Sequence, residues 1–167
     1  VSIAEIIAEI RTASRELARL GRPLVASGHS AGGHLAASML ATDWRALEAS
    51  LPEAHVTAAY AISGLFDLRP LVGTSINTAL RLDEASARAA SPMFWKSPTR
   101  GTLDAVVGAN ESAEYFRQSR TIADVWDAAG IATRFGTIPD ANHFTVVAPL
   151  ADPNSPMTLR LKQLAGR

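Results

Sequence analysis

Apolar positions along this chain change their rhythm several times, and each change marks where one kind of element gives way to another. Ile3, Ile6, Ile7, Ile10, Leu17 and Leu20 recur at helical spacing behind Ser2 and Glu5, a pair with capping-box spacing. Gly21 and Pro23 stop that helix. Leu24-Val25-Ala26-Ser27 is then a short apolar run, the pattern of a strand buried on both faces. A glycine-flanked turn leads into a helix over 31–41, packed by small residues, and 56–63 reads as a second strand. The stretch 64–98 is irregular, with a short helix near 83–90 and a bulky cluster at Met93, Phe94 and Trp95. A third strand is predicted over 103–107. Ser112 is placed to cap a helix running to Ala129, with Tyr115, Ile122, Val125, Trp126 and Ala129 on or near its inner face. A fourth strand covers 131–138, and Ser155 followed by Pro156 opens a last helix. Such alternation of helix and strand predicts an α/β fold, a parallel sheet with helices on both faces. Ligands in these sheets bind at the carboxyl ends of the strands, so the loops that follow each strand matter most.

Composition narrows the class. The 16 acidic and 16 basic residues cancel, and no Arg/Lys cluster forms the footprint of a nucleic-acid binder. No cysteine is present, which removes disulfides, thiolate metal sites and a cysteine nucleophile together. No apolar run reaches the roughly 20 residues of a membrane span, and the first residues lack a signal peptide's pattern. A cytoplasmic protein is expected, with neither nucleic acid nor membrane as partner.

The chemistry concentrates in three loops. Gly28-His29-Ser30-Ala31-Gly32 is a G-x-S-x-G between a predicted strand and a small-residue helix. A sharp turn there lifts a serine hydroxyl above the sheet at the positive end of the helix, with the Ala31 amide aimed where an oxyanion would form. The pentapeptide alone also occurs in ordinary turns; the strand before it and the helix after it favour Ser30 as a nucleophile. A hydroxyl needs a base. His29 and His34 sit on the turn and the helix, and His55 precedes its strand. His143 follows the fourth strand in Pro139-Asp140-Ala141-Asn142-His143-Phe144 and is the candidate base, the bland alternative being a histidine bonded to backbone at the start of a helix. The base in turn needs a carboxylate to hold its tautomer. Asp104 lies at the wrong end of its strand, Glu114 is explained by the helix dipole, and Asp140 stands too close to His143 along the chain. Glu111, just past the third strand, is preferred, giving the order Ser30, Glu111, His143 used by α/β-hydrolases.

Longer stretches carry a resemblance. Gly28-His29-Ser30-Ala31-Gly32-Gly33-His34-Leu35-Ala36-Ala37, Ile62-Ser63-Gly64-Leu65-Phe66-Asp67-Leu68-Arg69-Pro70, the segment from Val107 through Gln118-Ser119, His143-Phe144 and Leu150-Ala151-Asp152-Pro153 together resemble the kynurenine formamidase (arylformamidase) branch of the α/β-hydrolases. The resemblance implies hydrolysis of a formyl amide on an aromatic amine, or of small esters, on a small-molecule substrate and without metal or organic cofactor. It implies catalytic Ser30, Glu111 and His143, with Glu111 where the family often has aspartate. Phe66, Trp95 and Phe144 follow or overhang strand ends and are candidates to line an aromatic pocket, with core packing the competing account.

The family's early His-Gly-Gly-aromatic-Trp motif, which supplies further oxyanion donors, does not precede Ser30. Residues 1–167 are therefore expected to be the C-terminal portion of one catalytic domain. An N-terminal segment of roughly 80–100 residues, by normal domain size, is expected in cis or as a companion chain. Homodimer formation is left open. Two rival readings stand beside the formamidase: a general short-chain carboxylesterase, and a catalytically incomplete fragment or binding module lacking the oxyanion loop.

Overall fold

Residues 1–166 are described by the computed structural model, and the alternation of helix and strand is realised in it. Four strands, β1 (Leu24–His29), β2 (Val56–Ile62), β3 (Thr102–Gly108) and β4 (Ala132–Ile138), form a single sheet in the order β1-β2-β3-β4. Every pairing is parallel, with Ala26 opposite Ala59, Tyr60 opposite Asp104 and Ala105 opposite Phe135. Parallel neighbours require crossovers. The main helices are α1 (Ile3–Leu17), α2 (Ala31–Leu40), α6 (Ala113–Ala128) and α7 (Pro156–Leu164). Three shorter ones, α3 (Trp44–Leu47), α4 (Asn77–Leu80) and α5 (Glu84–Ala89), lie in the connections.

Strand alternation sorts the core into two layers. Ala59, Ala61, Leu103 and Ala105 join the larger cluster, packed with Ala36, Ala37 and Leu40 of α2 and with Ile122 and Trp126 of α6. Tyr60, Ile62 and Val106 alternate with them and meet Met157 of α7 through the smaller cluster. Alanine in the strands under α2 lets helix and sheet come close. One such close approach is at Gly33, where a β-carbon would lie 2.9 Å from Gly64 Cα and 2.9 Å from Ile62 O.

Local signals were fulfilled unevenly. The capping box is formed in full, Glu5 N–H donating to Ser2 Oγ at 3.2 Å while the Glu5 carboxylate accepts from Ser2 N–H. Of the six apolar positions read in α1 and the turn after it, only Ile7 is buried, while Ile6, Leu17 and Leu20 are exposed. The periodicity of α1 is therefore wider than the stripe it buries. On α6 the buried face is Gln118, Ser119, Ile122, Ala123 and Trp126, leaving Val125 and Ala129 outside. Helix α3 had no apolar period to announce it and is held by its cap, Ala46 N–H donating to Asp43 Oδ1 at 3.0 Å. Among the described residues, β1 is paired on one side only, and its residues are half-buried or, at Ser27, exposed. No described helix is long and apolar enough to cross a membrane.

Two buried histidines act as struts. Carbonyls only accept, so His34 Nε2–H donates to Ala90 O at 2.7 Å and His55 Nε2–H to Ser14 O at 2.8 Å. Burial holds the His34 imidazole below its ordinary pKa, and the bond to Ala90 only partly opposes it. Asp67 is pushed up by burial, but the hydrogen bonds and charge of Arg69, with Arg117 beyond, outweigh this and leave it low. Both shifts have the same sign for stability. Each group binds its proton more readily when unfolded, so stability is complete above the unfolded pKa and is lost as pH falls. Urea unfolding is expected to show a first decline in free energy below about pH 6.5, shared by His34 and the likewise depressed His29, and a second below 3.8 to which Asp67 contributes. His34→Gln should make the first decline shallower and leave the His29 share; an unchanged profile would assign it all to His29.

Candidate active site

The turn after β1 is the most strained point of the site. Ser30 has φ 57° and ψ −117°, a backbone that residues with a side chain adopt only at a cost of about 1–3 kcal/mol. The fold pins it from both sides. Ser30 N–H donates to Ile62 O at 2.8 Å, and Ser30 O accepts from Gly33 N–H at 2.9 Å and His34 N–H at 3.1 Å. The glycines of the pentapeptide divide the steric work unequally. A β-carbon on Gly28 would fall on the backbone carbonyl of Gly32, whereas one on Gly32 would meet nothing within 4 Å. The second bare position that the turn needs is Gly33, outside the pentapeptide. The Ala31 N–H opens α2 and, like any first helical amide, has no partner within the helix.

The loop after β4 brings His143 to Ser30, 113 residues away in sequence, with Nε2 at 3.1 Å from Oγ. On the far side, Nδ1 lies 2.8 Å from Glu111 Oε2. A carboxylate cannot donate, so Nδ1 carries the hydrogen and Nε2 is left to accept from the Ser30 hydroxyl. The Glu111 side chain is fully buried. Its other oxygen, Oε1, accepts from Gly108 N–H at 2.8 Å and from Ser63 Oγ–H at 2.5 Å. Both buried oxygens thus have a donor, which is what makes burial of the charge tolerable. The rivals are engaged elsewhere. Glu114 pairs with Arg117 and Gln118, Asp104 forms a two-bond pair with Arg160 at 2.7 and 2.9 Å, and Asp140 occupies a turn with φ 55°.

Two further rings flank the imidazole. His29 and Tyr115 each place a ring centroid 4.6 Å from that of His143, tilted by 44° and 31°. Burial, and then the neighbouring His143, depress the His29 pKa. His29 is thereby kept neutral beside a ring that would become cationic. Burial raises the Tyr115 phenol, opposed in part by the nearby Ser30 hydroxyl. Among the described residues no group of three or more His, Asp and Glu side chains is placed to hold a metal ion.

No family model matches the chain. It is 31% identical over 145 residues to a kynurenine formamidase of Danio rerio, covering 84% of this chain and 48% of that protein. A kynurenine formamidase of Salmo salar is 29% identical over 146 residues, again covering 84% of this chain and 49% of the relative. The chain thus spans about half the length of the curated relatives it matches. Among solved structures, a protein of Silicibacter sp. TM1040 described as a candidate thioesterase superposes with a TM-score of 0.78 at 34% identity, covering 95% of this chain and 58% of that one. The chain is an α/β-hydrolase, kynurenine formamidase-like in sequence. Esterase 2 of Thermogutta terrifontis shares the fold at a TM-score of 0.67 and 20% identity, covering 99% of this chain and 62% of that one.

Within this α/β-hydrolase frame the three pocket candidates separate. Phe66 does not line a pocket: it is fully buried, its ring over Gly64, and the N–H groups of Phe66 and Asp67 both donate to Gln118 Oε1 at 2.6 and 2.8 Å. A position just after a strand end predicts access, but the chain turns inward there to anchor α6. Trp95 packs against the core between α1 and α5, its Nε1–H donating to Ala89 O at 2.8 Å, beside a hollow of about 270 Å³ lined also by Ile7, Arg11 and Leu82. Phe144 is 84% exposed with its ring edge-on to His143 at 5.8 Å, so of the three it alone stands at the site. Sequence reasoning gave no role to His29, Ser63 or Tyr115 around the imidazole and carboxylate. Ser63 carried a usable signal, being a polar residue at the carboxyl end of a buried strand.

The unequal roles of the glycines are testable by thermal unfolding. Gly28→Ala is expected to lower stability by about 1–3 kcal/mol through overpacking against Gly32. Gly32→Ala, with open space and better helix propensity, should be neutral or slightly stabilising. Equal losses would mean the elbow is not set by the Gly28 contact.

Proposed function

We propose that the chain carries the catalytic residues of a serine hydrolase acting by acyl transfer, with Ser30 as nucleophile, His143 as base and Glu111 as the acid that orients it. The observation that carries this reading is the unbroken line from Ser30 Oγ through His143 to Glu111, at 3.1 and 2.8 Å. Ser30 Oγ attacks the substrate carbonyl while its proton passes to His143 Nε2. The imidazolium is held by its Nδ1–H bond to Glu111, and neutral His29 adds no second charge beside it. The Ala31 N–H donates to the tetrahedral oxyanion. Collapse expels the leaving amine or alcohol, which takes the proton from His143 and leaves an acyl ester on Ser30. Water then attacks that ester with His143 again as base, releasing the acid and restoring the hydroxyl. Further oxyanion donors are assigned to a segment that pairs along β1, in cis or as a companion chain.

The similarity to the kynurenine formamidases favours a formyl amide on an aromatic amine, with formate as the acid released. Phe144 beside His143 is suited to one face of an aromatic leaving group. The second reading is a carboxylic ester or thioester, favoured by the 34% identity to the protein described as a candidate thioesterase. Turnover of N-formylkynurenine beside p-nitrophenyl and thioester substrates separates the two.

A fluorophosphonate probe is expected to modify Ser30 in the native chain and not in Ser30→Ala. Glu111→Gln should lower kcat by about 10⁴-fold with KM little changed. An unlabelled wild-type serine would leave a binding module as the surviving reading, and normal turnover by Glu111→Gln would remove the acid's role.

A further inference from the structure

Ser63 ends β2 in a conformation that a residue with a side chain rarely takes. Its φ is +48°, in the left-handed region, and the residue is fully buried. Glycine adopts this backbone freely, whereas other residues are held there at a cost. The backbone at Ser63 is fixed by its N–H bond to Val106 O at 2.7 Å, which continues the β2–β3 pairing past the end of the strand. What the serine adds to a position suited to glycine is one hydroxyl. That hydroxyl meets Glu111 Oε1 at 2.5 Å, across 48 residues of sequence.

The carboxylate of Glu111 has two oxygens and two tasks. Oε1 is gripped by Gly108 N–H and Ser63 Oγ–H, and Oε2 faces His143. The Gly108 bond comes from the last residue of β3, the strand that leads directly into the Glu111 turn. The Ser63 bond comes from a neighbouring strand and ties the carboxylate to the sheet. We propose that Ser63 is a positioning residue: its hydroxyl locks the Glu111 side chain in the rotamer that presents Oε2 to His143. This assignment rests on the reading of Glu111 as the orienting acid. Ser63 touches neither Ser30 nor His143 through its hydroxyl, so its influence on the nucleophile passes entirely through Glu111.

That dependence gives the test. The rate of fluorophosphonate labelling is measured in wild type, Ser63→Ala, Ser63→Gly and Glu111→Ala, and in the two double variants. Loss of a hydrogen bond to a charged group is expected to slow labelling by about 10- to 100-fold in both Ser63 variants. In the Glu111→Ala background the same changes should alter the rate by less than about 2-fold, because the group through which Ser63 acts is gone. Ser63→Gly takes φ +48° without strain, so it carries the comparison if Ser63→Ala folds poorly. A Ser63 effect of full size in both backgrounds, or no effect in wild type, overturns the positioning role and leaves Ser30, His143 and Glu111 standing. Absence of labelling in wild type, or an undiminished rate in Glu111→Ala, removes the reading on which Ser63 depends.

Discussion

The hydrogen bond from Ser30 N–H to Ile62 O, at 2.8 Å, is the joint on which the rest of the site turns. It forces the end of β1 to bend directly over the end of β2 and sends α2 back across the sheet. That path is open only because the backbone is bare where it crosses itself, at Gly28 against Gly32 and at Gly33 against Gly64. The small side chains of Ala36, Ala37, Ala59 and Ala61 extend the same close approach along helix and strand. Packing therefore replaces the conformational freedom that would otherwise relax Ser30 out of its left-handed φ.

A second constraint is electrostatic. A fully buried carboxylate is costly unless both of its oxygens are hydrogen-bonded. Glu111 meets this with donors from three separate strand ends: Gly108 after β3, Ser63 after β2 and His143 after β4. The parallel register makes this convergence possible, since it brings all carboxyl ends to one edge of the sheet. Acidic groups at the opposite end or out on the helices find arginines instead, as Asp104 does with Arg160 and Glu114 with Arg117.

How much of this was legible in the sequence follows from which residues act locally. The strands, the capping box before α1, Ser155 and Pro156 opening α7, and the order of Ser30, Glu111 and His143 all show in short-range pattern, and the structure brings those three side chains into one line. What stayed hidden depends on contacts between distant segments. Nothing near Phe66 says that Gln118 will capture its amide, and nothing near Leu17 or Leu20 says that the helical stripe outruns the surface it covers. Gly33 reads as a continuation of a glycine pair until Gly64 is placed against it. Ser63 reads as the polar end of a strand until Glu111 arrives from the next one.

The span of 113 residues between Ser30 and His143 also has a consequence in time. Strands β1, β2 and β3 can pair before His143 is in place, because β4 is the last of the described strands in chain order and the loop carrying His143 follows it. Closing so long a loop is among the late events in assembling a sheet of this kind, where non-local contacts are slow to form. The Ser30 hydroxyl therefore meets His143 Nε2 only when β4 has docked. The line from Ser30 through His143 to Glu111 is in this way tied to completion of the sheet, and a chain with only its first strands paired does not hold it.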